Sequence, residues 1–277
     1  MTVSDHIPQR LADLGFTGYS TQISGKRIEY VVPPLCEVPT GPFLMGSDPV
    51  RDVVAAEESW AQDELPQHSV TLPAYQITRY PVTVTEYACF VRAGRAEPPE
   101  GHWRPISWKQ QLDRLDHPVV NVSWHDVVAY AKWLVECTDH PWRLPTEAEW
   151  EKAARGTDAR IYPWGNQFDQ ACCNTYDSGI NTTTPIDAYP SGASPYGVLD
   201  MAGNVSEWTN TLVKTYPYKE ADGREDMNAT NSRVIRGGSW AYGASQARVA
   251  SRNSDYPDLF NNNNGFRLVL RATPISS

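Results

Sequence analysis

Apolar and polar positions alternate along the chain in short stretches, and none of these predicts a long helix. Near the N-terminus, three apolar residues are spaced to lie on one face of a short helix that Gly15 terminates: Ile7, Leu11 and Leu14. The run 26–32 has the composition of a strand and ends at a pair of prolines. These features predict an N-terminal appendage over residues 1–35, made of a short helix and a strand.

Three further helices are predicted from capping signals, in which a serine or threonine is followed three residues later by an acidic residue. They begin at Thr83, Ser123 and Thr146, and glycines mark the ends of the first and the third. Turns and brief strands, such as 69–72 and 233–236, occupy most of the remaining chain. The acidic segment 48–67 is predicted to be a surface loop.

Composition supports a body with many turns. The 277 residues include 10 Trp, 22 Pro and 18 Gly, and only 21% of them are charged. This mixture favours loops over long helices, and no repeat period indicates a solenoid. The pattern therefore predicts an α+β fold, with a single irregular, loop-rich domain over residues 36–272.

Charge and cysteine content exclude several classes of protein. With 24 basic and 33 acidic side chains the net charge is −9, so we expect no nucleic-acid partner and no binding to an anionic membrane. No apolar run reaches the roughly 18 residues that a membrane span requires. Five cysteines without a CxxC spacing indicate reduced thiols, and hence a cytoplasmic location. The six histidines have no metal-ligand spacing.

A series of ordered motifs extends from Val38 to Leu270. They are GPFLMGS at 41–47, YPVT at 80–83, PVVNVSW at 118–124, WRLPTEAEWE at 142–151, YPWGN at 162–166, GNVSEW at 203–208, RGGSW at 236–240 and GFR at 265–267. In this order they resemble the formylglycine-generating enzyme, or sulfatase-modifying factor, family. The resemblance implies a C-type lectin fold of the formylglycine-generating-enzyme type.

The resemblance also bears on catalysis. Oxidase members of that family bind copper through a cysteine pair soon after the Gly-Gly-Ser-aromatic motif, and residues 237–248 contain no cysteine. A related branch uses a three-histidine iron site from an added helical domain, and this chain has no matching histidine spacing. We therefore expect neither copper nor iron, and a protein that is not an enzyme. An oxidoreductase of the same fold with a non-copper site remains the alternative.

The C-terminal motifs further resemble the variable proteins of diversity-generating retroelements, in which a reverse transcriptase randomises adenines and Asn codons are preferred targets. Mutation of AAY codons at their adenines never yields Lys, Glu, Gln, Met or Trp. Residues 241–264 contain no Lys, Glu, Met or Trp, and Gln246 alone needs an unmutated codon. The resemblance implies a variable region over 237–268. The asparagine run 261–264 would then be adenine-rich sequence that has stayed unmutated or lies at the fixed end of this region. An ordinary polar loop is the alternative for this run.

Residues in this region have the chemistry of a binding surface, because large rigid aromatic rings stand among small polar neighbours. The predicted ligand contacts are Ala241, Tyr242, Gly243, Ser245, Asn253, Ser254, Asp255, Tyr256, Leu259 and Phe260. The predicted scaffold residues are Trp240, in the core, and Arg236, Arg252 and Arg267, which would hold loops through forked hydrogen bonds. The expected partner is a protein or another ligand whose identity the sequence leaves open.

The resemblance also implies structural calcium, which binds carboxylate and carbonyl oxygens. Asp200, Gly203, Val205 and Glu207 match one site, in which the glycine and the valine would contribute their carbonyl groups. Asn174 and Thr175 match the beginning of a second site. The ion would stabilise loops that have little secondary structure of their own.

Overall fold

A computed structural model describes residues 2–3, 7–101 and 104–271. The helices are α1 Gln9–Asp13, α2 Val53–Glu57, α3 Val84–Arg92, α4 Trp108–Gln111, α5 Trp124–Thr138 and α6 Glu147–Arg155. The strands are β1 Thr2–Val3, β2 Thr17–Ile23, β3 Lys26–Val32, β4 Leu35–Val38, β5 Gly41–Met45, β6 His68–Leu72, β7 Tyr75–Thr78, β8 Ser206–Leu212, β9 Arg233–Arg236, β10 Arg252–Asp255, β11 Asn264–Gly265 and β12 Val269–Arg271. Short 3₁₀ turns fill several of the connections.

The strands form four small sheets. Their orders are β1-β2-β3, β12-β7-β4, β10-β9-β8-β11 and β5-β6. All pairings are antiparallel except β11 with β8, which is parallel. Because β12 pairs with β7, and β11 pairs with β8, the C-terminal region is bonded to strands from earlier in the chain. The described elements form one mixed α/β domain.

The predicted capping signals are confirmed for all three helices. Thr83, Ser123 and Thr146 each accept a hydrogen bond from the third residue of the helix, whose side chain bonds back to the cap. Gly156, with a φ of +71°, ends α6. These boxes form because both partners are three residues apart, so the geometry is local.

The N-terminal region packs into the main core. Its predicted helix is present as α1, and its predicted strand is β3, but β2 between them was not predicted. Leu11, Tyr30 and Val31 belong to the same buried cluster as Tyr87 of α3 and Tyr130 of α5. The predicted end of the domain at residue 272 lies outside the described residues.

The prediction that 48–67 is a loop is wrong, although much of the segment lies at the surface as predicted. This segment forms α2 and a 3₁₀ helix at Ser59–Glu64, and Asp52 caps α2 by accepting a hydrogen bond from Val54 N. Asp52 is 6% exposed and Glu64 is fully buried. These two carboxylates do not belong to a solvated face, because they bind an arginine from the C-terminal part of the chain.

Candidate ligand-binding face

The C-terminal segment that carries the predicted ligand contacts leaves the sheet after β9 and returns as β10. Gly237 and Gly238 form the turn, with φ angles of +94° and +65°. A Cβ atom on Gly238 would lie 2.7 Å from the carbonyl oxygen of Gln246, so a side chain would displace backbone there. The two strands pair so that Arg252 opposes Arg236. The loop is therefore held at both ends by one strand pair.

All ten predicted contact residues are accessible. Four are exposed, including Tyr256 at 63% and Leu259 at 48% of their full area; the other two are Asn253 and Ser254. The remaining six are half-buried: Ala241, Tyr242, Gly243, Ser245, Asp255 and Phe260. Side chains that reach solvent can be exchanged at small cost in stability, which a variable surface requires.

Part of this surface forms a cleft of about 210 Å³. Tyr242 and Asn253, which are distant in the loop, line it together. Trp60, from the segment after α2, lies on the same cleft and was not predicted. Gln246 and Arg252 also contribute to its lining. Eight of the ten predicted contacts lie outside this lining: Ala241, Gly243, Ser245, Ser254, Asp255, Tyr256, Leu259 and Phe260.

Arg236 binds the backbone of the loop where it returns to the sheet. It is 1% exposed and donates hydrogen bonds of 2.8 Å to the carbonyl oxygens of Val249, Ala250 and Ser251. Its guanidinium also forms an ion pair with the buried carboxylate of Glu151 in α6. One side chain thus fixes three consecutive backbone groups of the loop, as the fork geometry of arginine allows.

Arg252 connects β10 to α6. Its Nε donates to Glu147 Oε1 at 2.7 Å, and its guanidinium lies 4.4 Å from the ring centre of Tyr216. Burial by itself would raise the pKa of Glu147, but the charges of Arg252 and Arg236 hold that pKa below its usual value. In this helix only Glu149 acts as a cap, whereas Glu147 and Glu151 neutralise buried arginines.

Arg248 is a scaffold residue that was not predicted. It donates to Glu64 through both terminal nitrogens, at 2.8 and 2.7 Å, and to Asp52 at 2.7 Å. The guanidinium also lies 5.6 Å from the ring centre of Trp60. The acidic segment before β6 is therefore attached to the loop, and brings Trp60 to the cleft. Asp52 and Glu64 are 196 and 184 positions from Arg248, so no local sequence pattern indicates that they pair.

Trp240 and Arg267 are buried, at 3% and 0% exposure. The Trp240 indole donates to the carbonyl oxygen of Asn262 at 3.4 Å. Asn262, Asn263 and Asn264 are buried, and only Asn261 of the asparagine run is exposed. Three of the four asparagines therefore belong to the packed interior and not to a polar surface loop.

The two segments that carry the predicted calcium ligands contact each other. The backbone nitrogen of Asn204 donates to the Asn174 carbonyl at 2.7 Å, which joins the two predicted groups of ligands. A Cβ atom on Gly203 would lie 2.3 Å from the same carbonyl oxygen. Asp200 is buried, and its carboxylate accepts a hydrogen bond of 2.9 Å from the Asn204 side chain. Asp200 is thus a buried carboxylate without an ion pair among the described residues, a chemistry that fits a cation.

Glu207 and Thr175 differ from Asp200 in the hydrogen bonds that their oxygens already accept. Both carboxylate oxygens of Glu207 accept hydrogen bonds from Arg267, at 2.6 and 2.7 Å, and the Trp150 indole donates to the same carboxylate. A cation bound there would meet the guanidinium charge. The Thr175 carbonyl already accepts a hydrogen bond from Ser178 N. Of the two predicted carboxylate ligands, Asp200 is therefore the one without a competing guanidinium within hydrogen-bond distance among the described residues.

The cysteines do not contribute to the cleft. All five are free and buried: Cys36, Cys89, Cys137, Cys172 and Cys173. Burial raises the pKa of Cys89 to about 11 and that of Cys173 to about 12, so both remain protonated near neutral pH. Within the part of the chain that is described, no group of three or more His, Cys, Asp or Glu side chains is arranged to hold a metal ion. No described helix is long and apolar enough to span a membrane.

Comparison with known proteins confirms the resemblance found in the sequence. The family model described as "Sulfatase-modifying factor enzyme 1-like domain" matches residues 23–272. The "Inactive C-alpha-formylglycine-generating enzyme 2" of Mus musculus is 31% identical, over 87% of this chain and 86% of the mouse protein. The "Hercynine oxygenase" of Mycolicibacterium smegmatis is also 31% identical, over 79% of this chain. The match spans only 57% of that oxygenase.

Solved structures agree with the fold. PvdO from Pseudomonas aeruginosa superposes with a TM-score of 0.73 and 31% identity, over 86% of this chain and 94% of PvdO. Treponema denticola variable protein 1 superposes with a TM-score of 0.65 and 20% identity, over 92% of this chain and 99% of that protein. At this identity the second likeness concerns the fold alone. The relatives therefore include both enzymes and a protein named inactive.

Proposed function

We propose that this chain, which belongs to the sulfatase-modifying factor enzyme 1-like family and has its C-type lectin fold, is a non-enzymatic ligand-binding protein. Its binding face would be the accessible surface formed by residues 241–245 and 253–260. The ligand would be a protein or another molecule that contacts Tyr242, Tyr256 and their polar neighbours.

One observation carries the proposal: accessible and buried positions alternate within a single short segment. The ten predicted contacts reach solvent, while Arg236, Arg248 and Arg252 between and beside them are buried and bound to carboxylates. The energy that holds the loop thus comes from residues other than the proposed contacts. A face of this kind accepts different side chains without losing its backbone shape.

Diversification by a retroelement is the finer part of the proposal. It is supported by the absence of Lys, Glu, Met and Trp from 241–264 and by the C-terminal motifs. The burial of Asn262, Asn263 and Asn264 is compatible with the fixed end of a variable region. Under this proposal, sister genes would encode the same buried arginines with different residues at the accessible positions.

An oxidoreductase of the same fold with a non-copper site is the second candidate. It is supported by the 31% identity with hercynine oxygenase and by the cleft between Trp60 and Tyr242. A redox function there would need a metal or an organic cofactor, because no cysteine or histidine lines this cleft within the described residues. The binding proposal needs no such group.

We also propose one structural calcium ion, held by Asp200 and by the carbonyl groups of Gly203 and Val205. The support is a buried carboxylate whose bonded partner is a neutral amide. A cation there would stabilise the junction between the segments of Asn174 and Asn204, which has no strand or helix of its own.

The decisive experiment compares the end of the gene with its genomic surroundings. Diversification predicts a near-copy of the sequence encoding 237–268 beside a reverse-transcriptase gene. Mismatches between the two would fall at adenines of the copy, within codons for the accessible residues. If the gene has no such copy, diversification is rejected, and oxygen consumption with metal analysis of the purified protein then decides between a fixed binding protein and an enzyme.

A further inference from the structure

A second and larger cleft lies outside the proposed binding face. Its volume is about 350 Å³, within the range of small-molecule sites. Six separate parts of the chain line it: residues 104–106, the α4 region with Arg114, Val120, the loop 181–183, Trp240 and Asn262. No predicted ligand-contact residue is among its lining residues. This cleft is therefore a distinct candidate site.

Arg114 is the residue that gives the cleft its chemistry. Its side chain is half-buried and donates a hydrogen bond of 2.8 Å from Nη1 to the hydroxyl of Thr182. Within 7–101 and 104–271 it forms no ion pair. The guanidinium carries five N–H donors, so most of its hydrogen-bonding capacity is available to a bound molecule. Three buried arginines of the scaffold are, by contrast, bound to carboxylates: Arg236, Arg248 and Arg267.

Arg104 adds a second positive charge to the same cleft. Its guanidinium lies 5.5 Å from the ring centre of Trp240 and donates to Asn181 Oδ1 at 2.9 Å. These contacts orient the side chain at the edge of the cleft. With Asp113 as the only acidic lining residue, the charged groups of the described lining sum to a single positive charge on a chain of net charge −9. This local reversal of sign favours an anionic ligand.

The remaining lining restricts the ligand further. Pro105 and Ile106 provide apolar surface, so the ligand has an apolar body. The carboxylate of Asp113 lines the same cleft, and it would repel a second negative charge. A planar carboxylate matches the fork of a guanidinium in a bidentate manner. We propose that this cleft binds a small organic monocarboxylate with an apolar body, whose carboxylate group is held by Arg114.

This site does not depend on the proposed function of the face formed by 241–245 and 253–260. It rests on other residues, and it would exist in an enzyme as well as in a binding protein. Failure of one proposal therefore leaves the other standing.

Benzoate is the probe, measured by isothermal titration calorimetry on the full chain. Benzamide is the neutral analogue of the same shape, phthalate carries a second carboxylate, and inorganic phosphate tests a general anion site. We expect saturable binding of benzoate and at least tenfold weaker binding of the other three. Binding of phosphate or phthalate as tight as that of benzoate would overturn the assignment, as would the absence of saturable benzoate binding.

Two variants locate the site. Arg114→Gln keeps a donor toward Thr182 but removes the charge, and we expect benzoate to bind about tenfold or more weakly. Arg27→Gln is the matched control, because Arg27 is exposed on β3 and distant in sequence from every lining residue. Equal affinity in wild type and Arg114→Gln would overturn the proposal. If Arg114→Gln does not fold, the variant Asp113→Asn decides. We expect this variant to reduce the difference in affinity between phthalate and benzoate, and an unchanged difference in affinity overturns the proposal.

Discussion

Arg248 and Glu64 form a bidentate ion pair across 184 positions of sequence, with N–O distances of 2.8 Å and 2.7 Å and both side chains buried. The pair joins the segment after α2 to the loop that carries the proposed ligand contacts. Asp52 binds the same guanidinium. Trp60 lies between these two acids in sequence and reaches the cleft beside Tyr242 as a result.

Removal of one charge from this pair should destabilise the protein. Glu64→Gln leaves the buried Arg248 with Asp52 as its only carboxylate, so we expect a loss of about 3 kcal/mol in the free energy of unfolding, measured in urea. Glu57→Gln in the same segment is the control, because Glu57 is exposed, and its effect should stay within about 0.5 kcal/mol. Equal effects of the two substitutions would show that the ion pair does not hold the segment.

Accessible and buried positions of the C-terminal segment should respond differently to substitution. We expect Tyr256→Ser and Leu259→Ser each to change the free energy of unfolding by less than about 0.5 kcal/mol, because both side chains are exposed. Trp240→Ala should cost about 3–5 kcal/mol, because it leaves a cavity in the interior. Urea unfolding of the three variants measures this contrast. A large loss for Tyr256→Ser would contradict a face that tolerates exchange.

Glu86 should make the protein less stable as the pH rises. Burial raises its pKa from 4.5 to about 7, although hydrogen bonds from Thr83 oppose that shift. The folded state therefore holds a proton that the unfolded chain releases, and the contribution of this proton to stability is complete below pH 4.5 and lost by about pH 7. The contribution of Glu86 to the free energy of unfolding thus decreases by on the order of 3 kcal/mol between these two pH values.

Glu86→Gln tests this dependence, since glutamine also fits the third position of a capping box. We expect the variant to lose less stability than wild type between pH 4.5 and pH 7 in urea titrations. Glu97→Gln, at an exposed position, should retain the wild-type slope. Parallel curves for wild type and Glu86→Gln would mean that Glu86 is ionised without cost in the folded protein.

His117 should have the opposite effect on the pH dependence of stability, because it makes the protein less stable as the pH falls. Burial lowers its pKa from 6.5 to about 4, and the nearby charges of Arg114 and Arg10 lower it further, while Asp116 opposes them. The unfolded chain binds a proton on this histidine before the folded protein does, so stability decreases as the pH falls from 6.5 toward 4. His117→Gln should remove this decrease in thermal unfolding, and His140→Gln, at an exposed position, should not. An identical acid dependence in His117→Gln and wild type would exclude a buried neutral imidazole.

Calcium should stabilise the protein if Asp200 is a ligand. We expect calcium chloride to raise the unfolding temperature in a concentration-dependent manner, because the ion would bind only the folded state. Asp200→Asn should abolish the increase. Asp258→Asn is the control, because the Asp258 carboxylate is exposed and removed from the predicted ligands in sequence. Bound ions are first removed from the wild-type protein with a chelator. If calcium then leaves its unfolding temperature unchanged, the calcium proposal is rejected.

Local interactions explain what could be predicted of the fold. The three capping boxes at Thr83, Ser123 and Thr146 depend on residues three apart, and the strand 26–32 depends on its own composition and its flanking prolines. Strand β2 was missed because its mixture of polar and small residues becomes a strand only when it pairs with β3. The 48–67 segment was misjudged for a related reason, since the burial of Asp52 and Glu64 depends on the distant Arg248 that neutralises them.

The sequence by itself determined the family, the positions of the main helices, and which residues of the C-terminal segment reach solvent. Only the tertiary structure decided which carboxylates bind Arg236, Arg248 and Arg252, that Trp60 joins Tyr242, and that Arg114 faces a cleft without an ion pair among the described residues. The reason is physical. Capping and strand pairing signals act over a few residues, whereas burial of a charge is favourable only in the presence of its partner, and that partner is brought near by the whole fold.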